Sequence, residues 1–209
     1  MKKNKLLVLS VMALTALALI SANYINLSEP QGTEFIAVQK QGQNQTLNLF
    51  ITHGHCSTPF SGAVNNLKVL VQEREDGGNP LEGLSISFET DPNTFNVCYG
   101  KELTAQIRKP GLFVGENNNN IIFKSTEVYT MGIDWYQLNG VLSIKGVEKR
   151  VKFFVSGIRE ANESMATSLV LEGQLNLMDW GIDYDKIVNG KSASVPTKWL
   201  HLNLRIKLS

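Results

Sequence analysis

The chain has 209 residues, 43% hydrophobic and 19% charged, with 20 Lys+Arg against 19 Asp+Glu and a formal net charge of +1. That size suits one domain plus an export segment, and that composition excludes disorder as the default. The balanced charge excludes a nucleic-acid binder, which needs a basic patch to neutralise phosphates.

Lys2, Lys3 and Lys5 precede an apolar or small-residue run from Leu6 to Ala22, and the chain turns polar at Asn23. A positive start, an apolar middle and a small-residue end make a secretory signal, with Ala18 and Ala22 as cleavage ends. The alternative is an uncleaved anchor, because the run is near the lower length limit for a membrane span. Cleavage would remove three lysines and no acid, turning +1 into −2. Residues 1–22 therefore read as the signal, 23–34 (with Pro30 and Gly32) as a flexible lead-in, and 35–209 as the folded domain. The expected location is periplasmic or secreted, or membrane-anchored if the segment stays.

Phe35–Gln39 reads as a first strand, and Leu47, Leu49 and Ile51 alternate with polar neighbours as a second. His53-Gly54-His55-Cys56 ends it, and Pro59 and Gly62 argue against continued regular pairing before a further strand at 64–72. Asp76-Gly77-Gly78-Asn79-Pro80 is a turn cluster, after which Leu84, Ile86 and Phe88 alternate with Ser85, Ser87 and Glu89. Leu103 and Ile107, four apart among charged residues, predict a short helix that Pro110-Gly111 stops. Residues 121–158 read as three strands in a meander, since such short connections join only antiparallel neighbours. Leu138, Leu142 and Ile144 lie on one face of the middle strand. Gly146 breaks it, Glu148–Arg150 supply a charged turn, and Phe153 and Val155 resume the alternation. Leu169, Leu171, Leu175 and Leu177 share one parity, as do Leu200, Leu202, Leu204, Ile206 and Leu208. The fold class is all-β, with about eight strands and one helical insertion. Eight antiparallel strands remove their edges by closing into a barrel, with a two-sheet sandwich as the competing architecture.

Three stretches resemble the YceI-like family: IIFKST at 121–126, LNGVLSIKGVEKRVKFFV at 138–155 and LNLMDWGI at 175–182. Leu177-Met178 stands where that family commonly has a basic pair, and residues 95–113 keep only the Leu112-Phe113 end of its mouth loop. The resemblance implies an eight-stranded antiparallel lipocalin-like barrel of the periplasm. It further implies an enclosed polyisoprenoid tail, such as a quinone-like lipid or a prenyl phosphate, carried or sequestered without catalysis.

The expected lining is the inward parity: Leu84, Ile86, Phe88, Phe123, Leu138 and Leu142, continued by Ile144, Phe153, Val155, Leu171, Leu175, Leu202 and Leu204. Gly140 and Gly173, on that parity, would leave room for a chain. The other reading is a barrel filled by its own side chains, serving as a structural or interaction domain. Leu103, Ile107, Phe113, Trp135 and Trp180 are expected at the mouth. Trp135, Tyr136, Trp180 and Tyr184 lie near strand ends, where rim and core packing is the plainer reading and a grip on a ring-bearing head group the sharper one. His53 and His55, at i and i+2, are a metal pair with Cys56 or His201 as further ligands; polar residues at a strand end are the plainer reading. Cys56 and Cys98 are either one disulfide, as export would permit, or two free thiols. No nucleophile, zinc-protease or phosphate-loop motif is present. No prosthetic cofactor is expected. The partner is an apolar small molecule; membrane or membrane-protein contact and homodimer formation stay open.

Overall fold

The computed structural model describes residues 35–38, 45–53, 56–72, 78–79, 81–98, 100–117, 119–184 and 199–208. The predicted signal and lead-in, His55, and the side chains of His53 and Cys56 lie outside what is described. In chain order the elements are β1 (Phe35–Val38), β2 (Gln45–His53), β3 (Cys56–Gln72), β4 (Ser85–Thr90), β5 (Asn96–Val97) and α1 (Lys101–Ile107). They continue with β6 (Ile121–Gly132), β7 (Trp135–Ile144), β8 (Val147–Ile158), β9 (Ser168–Asn176) and β10 (Trp199–Lys207).

Eight strands pair in the order β3-β2-β10-β9-β8-β7-β6-β4, and β4 pairs back onto β3 through Val64↔Thr90 to Leu70↔Ser85. Every pairing is antiparallel. The ring is closed, so the architecture is the barrel and not the sandwich. Closure also leaves the eight ring strands without a free edge to template aggregation. The short β1 and β5 both add to β3 outside the ring.

One turn and one strand differ from the sequence expectation. The connection between β7 and β8 is Lys145-Gly146, with φ of 57° and 78°, so Glu148–Arg150 already sit in strand β8. Positive φ at both central residues is the hairpin geometry whose twist matches its strands, and Gly146 meets it without steric cost. Second, β3 runs unbroken through Pro59 and Gly62. The Pro59 carbonyl accepts from the Cys98 N–H at 3.4 Å, on the β5 side. A residue's N–H and C=O share a side in an antiparallel ladder, so the missing proline donor costs β2 nothing. Gly62 is needed because a methyl there would overlap the Phe95 ring.

The register of β3 against β4 shifts between Asn65 and Lys68, and Asn66 takes a φ of 48°. This bulge bends the long strand around the barrel corner. Asn66 Nδ2 donates to Glu89 Oε2 at 2.7 Å, and Asn120 Nδ2 donates to Glu89 Oε1. These two donors, Asn120's first, hold the Glu89 carboxyl below its ordinary value.

The connectivity gives the barrel two distinct ends. At the helix end lie α1, the 3-10 turns Pro92–Thr94 and Leu177–Trp180, and the Lys145-Gly146 turn. At the hairpin end lie residues 81–84, the Ile133-Asp134 turn of β6 and β7, the loop 159–167, and the start of β1, where Phe35 pairs with Gln72.

Candidate functional site

Every residue expected to line the barrel is buried: Leu84, Ile86, Phe88, Phe123, Leu138, Leu142, Ile144, Phe153, Val155, Leu171, Leu175, Leu202 and Leu204. The four buried polar residues among those described are Thr58, Thr90, Thr104 and Ser168, none of them titratable. Three rings cross the middle of the interior. Phe88 and Phe123 have centroids 5.4 Å apart, and Phe123 meets Phe153 edge-on at 4.9 Å.

The two glycines expected to leave room do not. A methyl at Gly140 would overlap the Phe123 ring, and one at Gly173 would overlap Phe153. Each glycine is a socket seating a phenylalanine from the neighbouring strand, which restores the apolar contact that a bare backbone lacks. The walls agree: Leu138, Leu171, Leu204, Phe153 and Val155 show no exposed surface. A void wide enough for water would leave exposed area on its lining, so none borders these side chains.

The helix end is shut by a second aromatic cluster. Phe60, Phe95 and Phe113 have pairwise centroid distances of 5.4 to 5.7 Å, and Ile107 and Leu112 are fully buried with them. Thr104 of α1 ties the helix down, its Oγ1 accepting from the Val97 N–H at 3.0 Å and donating to the Gly100 carbonyl at 3.0 Å. Leu103 is half-buried against the core. Trp180 is buried at this end, and its Nε1 donates to the Val147 carbonyl at 3.0 Å.

Trp135 does not belong with these mouth residues. It begins β7 at the opposite end, on the outer face, 46% exposed and facing the Phe154 ring at 6.4 Å. One residue shifts a strand side chain to the other face, so it is its neighbour Tyr136 that points in. Tyr136 is fully buried, and its hydroxyl donates to Asn79 Oδ1. Burial first, and then the Asp134 carboxylate, push its phenol up to about 12. Asn79 Nδ2 donates to the Gly132 carbonyl at 3.0 Å, so one asparagine links the interior tyrosine to the hairpin. Asp134 Oδ2 accepts from Arg159 Nε. Leu81 and Leu84, fully buried, complete the cover over this end.

The remaining expected sites are less developed. Cys98 is a free, exposed thiol, and its predicted partner Cys56 has no described side chain. The described residues contain no group of three or more His, Cys, Asp or Glu able to hold a metal. His201 sits on the outer wall, opposite Phe50 of β2. There, with Phe50, Phe154 and Gln174, it borders an open groove of about 560 Å³ that passes over Gly173. Sequence reasoning missed Phe60, Phe95 and Leu81, and placed Tyr136 only near a strand end, in rim or core packing. The signal for Phe60 was its inward parity with Gly62, hidden by Pro59.

An eight-stranded antiparallel barrel with an apolar interior and a helix across one end is a lipocalin-like architecture. The sequence matches the YceI-like domain over residues 39–207, and the chain belongs to the YceI-like family. Burkholderia cenocepacia BcnA has a similar fold, with a TM-score of 0.59 at 13% identity over 78% of this chain and 94% of that one. A variant of the Campylobacter jejuni YCEI protein crystallised with a monobromobimane guest gives 0.50 at 11% identity, over 88% and 93%. No curated protein matches the chain.

Proposed function

We propose that this chain binds one long apolar molecule of polyisoprenoid type inside the barrel and sequesters or carries it, without catalysis, after export. The observation that carries this reading is a closed barrel with an apolar lining and, among the described residues, no buried Asp, Glu, Lys, Arg or His. Membership of the YceI-like family supports it. The Phe88, Phe123 and Phe153 rings are then a plug, held by van der Waals contact alone, that the tail displaces. Aromatic pairs add about 0.5–1.5 kcal/mol each beyond area burial. A tail gains about 0.8 kcal/mol per buried methylene, and that gain has to offset both the ring contacts it breaks and the burial the displaced rings lose.

The socketed rings and fully covered walls favour a second reading, a permanently filled barrel acting as a structural or interaction domain. Organic extraction of the freshly purified full chain, followed by mass spectrometry, separates the two. The binding reading expects about one isoprenoid-type lipid per chain, lost in Leu142→Trp. Extraction of no lipid, or the same amount from both proteins, rejects it.

A further inference from the structure

We propose that the β6–β7 hairpin tip docks the barrel on a lipid bilayer, with Met131 and Ile133 entering the boundary between headgroups and acyl chains. The proposal stands on the outer surface and is independent of what the barrel holds. Over most of β7 buried and half-exposed residues alternate, as one covered face requires. From Tyr129 to Ile133 that alternation stops and every residue is exposed. Both faces of this end of β6 therefore meet solvent. Yet the side chains there are not those of a solvated turn. Tyr129 is 49% exposed, Met131 46%, Ile133 81% and Trp135 46%, and the half-exposed Phe154 adjoins them.

The arrangement has the order of an interfacial anchor. The most exposed residue, an isoleucine, is at the apex, and an amphipathic ring stands on each strand behind it. The backbone is held in place: Asn79 ties the Gly132 carbonyl, and the Asp134 carbonyl accepts from the Gly157 N–H at 2.7 Å. A pinned ribbon loses little freedom on docking.

Where the apolar run 6–22 is retained as the anchor rather than cleaved, chain connectivity favours a bilayer over other partners. Phe35 pairs with Gln72 at this same end, so the preceding chain, with its apolar run 6–22, joins the barrel here. The stretch 23–34 reaches at most about 40 Å when fully extended. While the apolar run is in a membrane, the barrel stays within that distance of the surface, and the tip is at the tethered end. The charges beside the tip give no anionic-lipid attraction. Asp134 is paired with Arg159, and Glu127, Glu160 and Glu163 are exposed nearby. The expected surface is zwitterionic and the contact apolar.

The test uses the full chain with phosphatidylcholine vesicles whose acyl chains are brominated, reading quenching of tryptophan fluorescence. The three tryptophans are Trp135, the buried Trp180 and Trp199 at the helix end. The expected result is quenching that falls at least twofold in Trp135→Phe and in Ile133→Asp, stays in Trp199→Phe, and is unmoved by a tenfold rise in salt. Ile133→Asp should keep its melting temperature, because that side chain is already in water. Quenching equal in wild type, Trp135→Phe and Ile133→Asp would overturn the proposal. So would its absence, and a doubled sedimentation mass that Ile133→Asp abolishes would then assign the tip to a second copy of the chain. Neither result bears on lipid extracted from the interior.

Discussion

The two ends of the barrel are closed in opposite ways. The helix end is sealed by rings against rings, with Phe60, Phe95 and Phe113 in mutual contact beneath α1 and no titratable side chain among them. The hairpin end is closed by a polar latch, Tyr136 on Asn79 and Asp134 on Arg159, beside an exposed apolar tip. Apolar packing is lost a contact at a time, whereas a latch of a few hydrogen bonds opens when those bonds break. The difference assigns the helix end to stability.

Substitutions sharpen that contrast. The largest expected loss is at the helix end: Phe113→Ala removes two ring partners and should cost about 3–5 kcal/mol in denaturant unfolding. In the barrel middle, Gly173→Val forces a branched side chain into the Phe153 ring and should cost about 1–3 kcal/mol. Adding Phe153→Leu to that variant should recover part of the loss, because the two sites share one space. Non-additivity of zero would mean that the socket is not what the glycine is for.

At the hairpin end, Tyr136→Phe should cost only about 1 kcal/mol, since Asn79 Oδ1 still accepts from the Leu81 N–H at 3.3 Å. The latch also has a pH signature. A phenol raised from 10 to about 12 stabilises the fold fully below pH 10, and this contribution fades as pH rises toward 12. Melting temperature measured across that window should fall in the wild type more than in Tyr136→Phe. The smallest effect is at Glu89, whose lowered carboxyl gives stability present above its ordinary value of 4.5 and lost as pH falls through the depressed one. Replacing Asn66 and Asn120 together by Ala should flatten that acid limb, which thermal scans from pH 5 downward would read.

The strands were legible because period-2 alternation depends only on having one buried face. The run from Leu200 to Ile206 and, apart from its second turn, the meander of 121–158 therefore appeared at their observed positions, as did the short helix ended by Pro110-Gly111. Depth was not legible. Inward parity cannot say whether an inward glycine faces a void or a ring, because the answer rests on the neighbour on the adjoining strand. For Gly140 and Gly173 that neighbour is a phenylalanine. The position of Trp135 was lost for a similar reason, since nearness to a strand end does not reveal which end or which face. Pro59 misled because its missing donor matters only on the side where a partner is required.

The central claim is that the phenylalanine plug gives way to a hydrocarbon tail. Native mass spectrometry of the freshly isolated full chain tests it most directly. The expected spectrum shows one long-chain apolar adduct per barrel in the wild type, absent in Leu142→Trp and at equal or higher occupancy in Phe153→Ala, where the plug is cut back. Bare protein mass in the wild type and in Phe153→Ala alike would contradict it.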